Sequence, residues 1–154
     1  MFTIQETHYN TKGRVKIPNF EMFEVIRSKG KGGTVLGAHK ALQPILISEY
    51  SQNFELLVVE VKVSKREIRV ITGYGPQENL PEQERLEFFI TLEKEIIRAE
   101  CDNKQVIIQL DANSKLGPEL IPGDLHPQSP NGKILASLIY RNNLTIGNLM
   151  NCCQ

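Results

Sequence analysis

Gln105-Val106-Ile107-Ile108-Gln109-Leu110-Asp111-Ala112-Asn113 is an apolar run that ends abruptly in an acid and an amide. A run of that length reads as a buried strand, here the central strand of a sheet, and it sets Asp111 at the strand's C-terminal end. In α/β folds that end is where sites collect. Two earlier segments repeat the arrangement: Phe2-Thr3-Ile4 runs into Gln5-Glu6-Thr7, and Ile68-Arg69-Val70-Ile71 leads to Tyr74-Gly75-Pro76. A carboxylate, then a phenol, then a carboxylate with an amide close behind form a donor set suited to metal-assisted phosphoester chemistry.

Upstream of the run, Pro81 opens a helix with Glu82 and Glu84 in its first turn, where the helix dipole favours acids. Leu86, Phe89, Ile90, Ile96 and Ile97 fall on one face and are expected to pack in the core, and Asp102-Asn103 ends the helix. Residues 54–63 and 68–73 alternate around Ser64-Lys65-Arg66-Glu67 and predict a hairpin. Strands are also predicted over residues 2–6, 20–27, 34–42 and 45–50, with a flexible glycine loop, Ser28-Lys29-Gly30-Lys31-Gly32-Gly33, between the second and third. Downstream, residues 114–130 make a Pro/Gly-rich loop of the length that carries function. Asn131 is expected to cap a second helix with Leu135, Leu138 and Ile139 facing inward, and residues 144–147 to return as a strand. Hairpins mixed with crossover helices predict a mixed-sheet α/β domain with helices outside.

Bulk composition narrows the function classes. The chain has 154 residues, enough for one domain with one core, and its 40% hydrophobic and 23% charged content is that of a globular protein. No apolar stretch approaches bilayer-spanning length, and the start lacks the form of a signal peptide. An intracellular protein with no membrane contact is expected, without distinguishing nucleus from cytoplasm. Cys101 stands alone and Cys152-Cys153 are adjacent, which offers neither a disulfide framework nor zinc-ligand spacing. Eighteen Lys and Arg balance eighteen Asp and Glu, so any contact with nucleic acid is local.

Gln5-Glu6-Thr7-His8, the Gly32-Gly33 strand entry, Tyr74-Gly75-Pro76, Leu110-Asp111-Ala112-Asn113 and Asn131-Gly132-Lys133, in that order, resemble the endonuclease/exonuclease/phosphatase superfamily. The forms Tyr74-Gly75-Pro76-Gln77 and Asp111-Ala112-Asn113-Ser114-Lys115-Leu116-Gly117 look most like the apurinic-type endonuclease domains of non-LTR retrotransposons. The resemblance implies an α/β fold, a deoxyribonuclease I-like two-sheet β-sandwich with flanking helices in four layers, α/β/β/α, here incomplete. Residues 1–148 would be a partial domain and 149–154 a short divergent tail. The family's opening strand with its asparagine, and its closing strands with an Asp and a catalytic His, find no counterpart. The chain is therefore expected to be the middle of such a domain, weak or inactive on its own.

The same resemblance implies Mg2+ as cofactor, with Mn2+ as a substitute, and duplex DNA as partner. Glu6 would be the metal ligand. Asp111 would orient or deprotonate the attacking water, Asn113 would hold a phosphate oxygen, and Tyr74 would donate to the developing charge. His8, Lys31, Lys40, His126 and Asn131 are candidate substrate contacts. Plainer readings stand beside these. Glu6 can be a solvated strand-end acid, Asp111 with Asn113 an Asx-turn, and Tyr74 a packed turn aromatic. Arg27, Lys29, Lys31 and Lys40 around the glycine loop can contact phosphates or simply be solvated. His39 is expected to be structural. Two other functions compete: a phosphatase acting on a small phosphoester, and a non-catalytic interaction fragment that self-associates through unpaired sheet edges.

Overall fold

Alternation along two strands builds the centre of the molecule. The computed structural model describes residues 1–13, 15–26 and 32–147. Strands β1 (Phe2–Ile4), β2 (Phe20–Val25), β3 (Thr34–His39), β4 (Ile45–Tyr50), β5 (Glu55–Val63) and β6 (Arg66–Tyr74) precede helix α1 (Glu82–Cys101), strand β7 (Gln105–Asp111) and helix α2 (Pro130–Arg141). The β5–β6 ladder runs antiparallel from Glu55↔Tyr74 to Val63↔Arg66. Leu57, Val59, Val61 and Val70 point to one face and meet Phe23, Val25, Leu36 and Ala38. Leu56, Val58 and Ile71 point to the other and meet Phe88, Phe89, Leu92, Ile96 and Leu138 of the helices. Each such side chain, taken fully from water, contributes about 1.5–3 kcal/mol.

The strand order is β1-β3-β2 in one sheet and β4-β5-β6-β7 in the other. The result is a β/β/α stack, with α1 and α2 on the outer face of the four-stranded sheet. Helix α1 is the crossover that a parallel β6–β7 pair requires. It places the ends of β6 and β7 side by side, with Tyr74 opposite Asp111.

Several expectations are corrected. Strand β7 is not central; among the described residues it is the outermost strand of its sheet. Val106, Ile108 and Leu110 pack toward the helices while Ile107 on the opposite face is 40% exposed. In α1 the buried apolar side is Phe88, Phe89, Leu92, Ile96 and Ala99, and Ile90 and Ile97 face solvent. Glu95 is buried on that same side because the Tyr50 hydroxyl (2.6 Å) and Arg98 (2.8 Å) both donate to it. Residues 144–147 form no strand, although Leu144 still packs on the helix-side core. The cap of α2 is Ser129, whose side chain accepts from the Gly132 N–H; Asn131 lies inside the first turn. Arg27, Lys29, Lys31 and the 149–154 tail with Cys152-Cys153 lie outside the described residues. Among those residues, no helix is long and apolar enough to cross a membrane.

Candidate active site

Past β1 the chain makes a conformationally costly bend. Glu6 (φ 54°) and His8 (φ 53°) both occupy the left-handed region, which costs on the order of 1–3 kcal/mol per residue and persists only where the surroundings impose it. The imposing contacts come from the glycine loop. The Thr7 N–H donates to Gly33 O (3.1 Å) and the His8 N–H to Gly32 O (2.6 Å). Gly32 (φ 71°) and Gly33 (φ 100°) take conformations that side-chain-bearing residues avoid.

Tyr74 connects this bend to the ends of β6 and β7. Its hydroxyl donates to Glu6 Oε1 at 2.6 Å, and its Cα pairs in register with Asp111. Burial first, and the bond to Glu6 second, raise the Tyr74 phenol above its ordinary 10.0, so it stays a proton donor at neutral pH. The following residues lace the two strand ends together. The Gly75 N–H donates to Asp111 O (2.7 Å) and Asn113 Nδ2 donates to Gly75 O (2.8 Å). A side chain at Gly75 would meet Ala112 O at 2.7 Å, so the close approach needs glycine. The Asn113 N–H bonds Asp111 Oδ1 (3.1 Å), which is the Asx-turn, and Asp111 remains exposed. The turn and an available carboxylate coexist in one residue.

Asn131 ties the assembly from behind. It is fully buried, donates from Nδ2 to Pro76 O (2.8 Å) and Asn113 O (3.2 Å), and accepts from Arg85 Nη1 (3.1 Å). Its polar atoms are spent on protein, so here it organises the loops that carry Tyr74 and Asn113 rather than presenting a face to substrate.

The other sequence-derived candidates are dispersed. His8 is exposed, two residues after Glu6 along the chain. His126 turns to Asp124 within its own loop (Nδ1 to Oδ1, 3.0 Å), and its N–H and ring together hold the Asp124 carboxyl below the usual range. Lys40 follows the far end of β3, about 20 Å along the strand from Gly33, so it does not flank the Gly32-Gly33 bend. His39 is structural as expected: its ring accepts from the Ala41 N–H (3.2 Å) and packs edge-on against Phe20.

Glu55 was not singled out in the sequence. It opens β5, is fully buried, and accepts through Oε2 from the Gly33 N–H (2.8 Å) and Thr34 Oγ1 (3.0 Å), while Oε1 has no hydrogen-bond partner among the described residues. The available signal was an acid beginning an otherwise apolar strand.

The exposed donors are hard oxygens. No group of three His, Cys, Asp or Glu stands ready among the described residues to enclose a metal ion. Mg2+ does not require one, being held commonly by one or two carboxylates with water and substrate phosphate. The donor chemistry of Glu6 and Asp111 fits that mode.

No protein-family model matches the chain, and no curated protein does. Among solved structures, the endonuclease domain of TRAS1, a telomere-specific non-LTR retrotransposon, superposes with a TM-score of 0.50 at 18% sequence identity. The match covers 82% of this chain. The fold is deoxyribonuclease I-like. The chain spans about half of that endonuclease domain, 53% of its length. At that identity the likeness carries the architecture alone.

Proposed function

We propose that the chain is built for Mg2+-dependent hydrolysis of a phosphodiester, with duplex DNA as the substrate. The observation that carries this reading is the convergence on Tyr74 of segments far apart in sequence: Glu6 by hydrogen bond, Asp111 by strand register. Both carboxylates are exposed at an open surface, which suits a long polymer better than a small phosphoester that needs enclosing. The architecture shared with a retrotransposon endonuclease domain supports the same substrate class.

In this reading Glu6 would hold Mg2+, with Mn2+ able to replace it, and the ion when bound supplies Lewis-acid polarisation of the phosphate. Asp111 orients the attacking water and accepts its proton at the carboxylate oxygen not engaged in the Asx-turn. Asn113 Nδ2 and the Tyr74 hydroxyl, which in this structure donate to Gly75 O and Glu6, would exchange those bonds for the developing charge when substrate is bound. Glu6, Tyr74, Asp111 and Asn113 include no imidazole to relay the proton, so turnover by this chain alone is low.

Supercoiled plasmid incubated with the 154-residue chain and Mg2+ tests the proposal. Slow conversion to open circles is expected, abolished by EDTA and by Asp111→Ala. Nicking that survives either control, or none from folded protein at high enzyme concentration, would count against it.

A further inference from the structure

We infer that Glu55 is a positioning residue for Glu6, a buried carboxylate that locks the Gly32-Gly33 bend and through it the backbone of the Glu6-Thr7-His8 segment. The inference rests on the reading of Glu6 given under Proposed function, but its geometry is independent of catalysis. Two left-handed residues in a row of three do not hold themselves. The Thr7 and His8 N–H groups hold the bend by donating to the carbonyls of Gly33 and Gly32. Those carbonyls belong to two successive glycines, the least self-constrained backbone available, so the loop needs an anchor of its own. Glu55 Oε2 provides it by accepting from the Gly33 N–H and the Thr34 hydroxyl.

The position of the anchor matters as much as its bonds. Glu55 is the register partner of Tyr74. One rung of the β5–β6 hairpin therefore fixes Glu6 twice: directly, through the Tyr74 hydroxyl, and indirectly, through Glu55 and the glycine bend. A side chain there whose only duty was to fill space would be apolar. A fully buried carboxylate with one oxygen unpartnered among the described residues is a poor choice for stability alone. Its geometry as a double acceptor explains it.

Amide hydrogen exchange by NMR on the full chain tests this, comparing Glu55→Ala, Glu55→Gln and Thr34→Val with the parent. Glu55→Ala is expected to speed exchange at the Thr7, His8 and Gly33 amides by about tenfold or more while Val58 and Ile71 stay protected. Glu55→Gln keeps an oxygen that can accept both bonds and should restore protection at those three amides. Unchanged protection at Thr7 and His8 in folded Glu55→Ala, or equal loss in Glu55→Gln, would overturn the inference. Should Glu55→Ala fail to fold, Thr34→Val removes one of the two donors, and loss confined to the same amides supports the lock while no loss there overturns it. Plasmid nicking separates the two proposals. In an active chain, Glu55→Ala should raise the Mg2+ concentration for half-maximal nicking about tenfold, and Glu55→Gln should not. Inactivity of every form counts against the nuclease reading, and the exchange data then decide Glu55 alone.

Discussion

At the end of the four-stranded sheet where β5 turns into β6, Arg69 is 5% exposed and bonds both Glu60 and Asp102, and Lys104 bonds Glu60 at 2.6 Å and Glu67 at 3.5 Å. At the opposite end, Glu6 and Asp111 are exposed and bonded to a phenol and a backbone amide. The first end answers every acid with a base and thereby closes itself. The second, among the described residues, leaves its acids without a basic partner. Charges at the first end should therefore govern stability, and charges at the second should govern activity with little effect on stability.

Asp111→Ala breaks this comparison most visibly if it is right. Nicking should fall by roughly 10²–10⁴-fold, as when a proton acceptor is removed from a cooperating set. Urea unfolding should shift by no more than about 1 kcal/mol, because the side chain is exposed and loses one turn bond. A large loss of stability would mean that the site end is structural after all.

The mirror experiment is Glu60→Leu. It leaves Arg69 nearly buried with one partner fewer and Lys104 without its closest acid, a loss of about 3 kcal/mol with the rate per folded molecule unchanged. The pH dependence carries a sign. Burial opposes ionisation of Glu60, but bonds from Lys104 and Arg69 outweigh it and hold the carboxyl below its ordinary 4.5. That stabilisation is complete above pH 4.5 and is lost as pH falls through the depressed value in the folded state. The variant should lack this part of the acid limb in a denaturation series.

Asn131→Ala lies between the two ends and should show both effects. Pro76 O and Asn113 O lose a donor, and Arg85 an acceptor, in a buried place, which costs about 2 kcal/mol. Nicking should also drop more than unfolding explains, since the loops bearing Tyr74 and Asn113 lose their common tie. A loss of stability alone would reduce Asn131 to a packing residue.

How far the sequence discloses this depends on whether a feature is local. The β5–β6 alternation, the Pro81 helix start and the strand-end polar motifs are local, and the chain folds as they imply. Ile90 and Ile97 misled because α1 carries apolar residues on both flanks, and periodicity cannot say which flank the sheet covers. The run Val106–Leu110 reads as buried on both faces, yet neighbours rather than composition decide whether a strand is central. Asn131 and Glu55 were opaque for a related reason. A buried amide or acid is tolerable only if distant backbone supplies its partners, and those partners, Pro76, Asn113 and Gly33, come together only in the folded chain.

The smallest effect is the most specific. Burial and the Glu6 bond both raise Tyr74 above 10.0, so the stabilisation tied to its proton is fully present below that pH and lost as pH rises through the folded-state value. Tyr50 is raised too, by burial and by Glu95, so Tyr74→Phe should remove one of two late-titrating phenols from the ultraviolet tyrosinate curve. Glu6→Gln is the sharper variant. It leaves the burial in place and removes the charge, so the Tyr74 step should move down only part of the way toward 10.0. Full reversion would make Glu6 the main cause instead of burial. No movement would mean that Glu6 and Tyr74 are not joined in solution, and the two ends of the sheet would then differ less than their charges suggest.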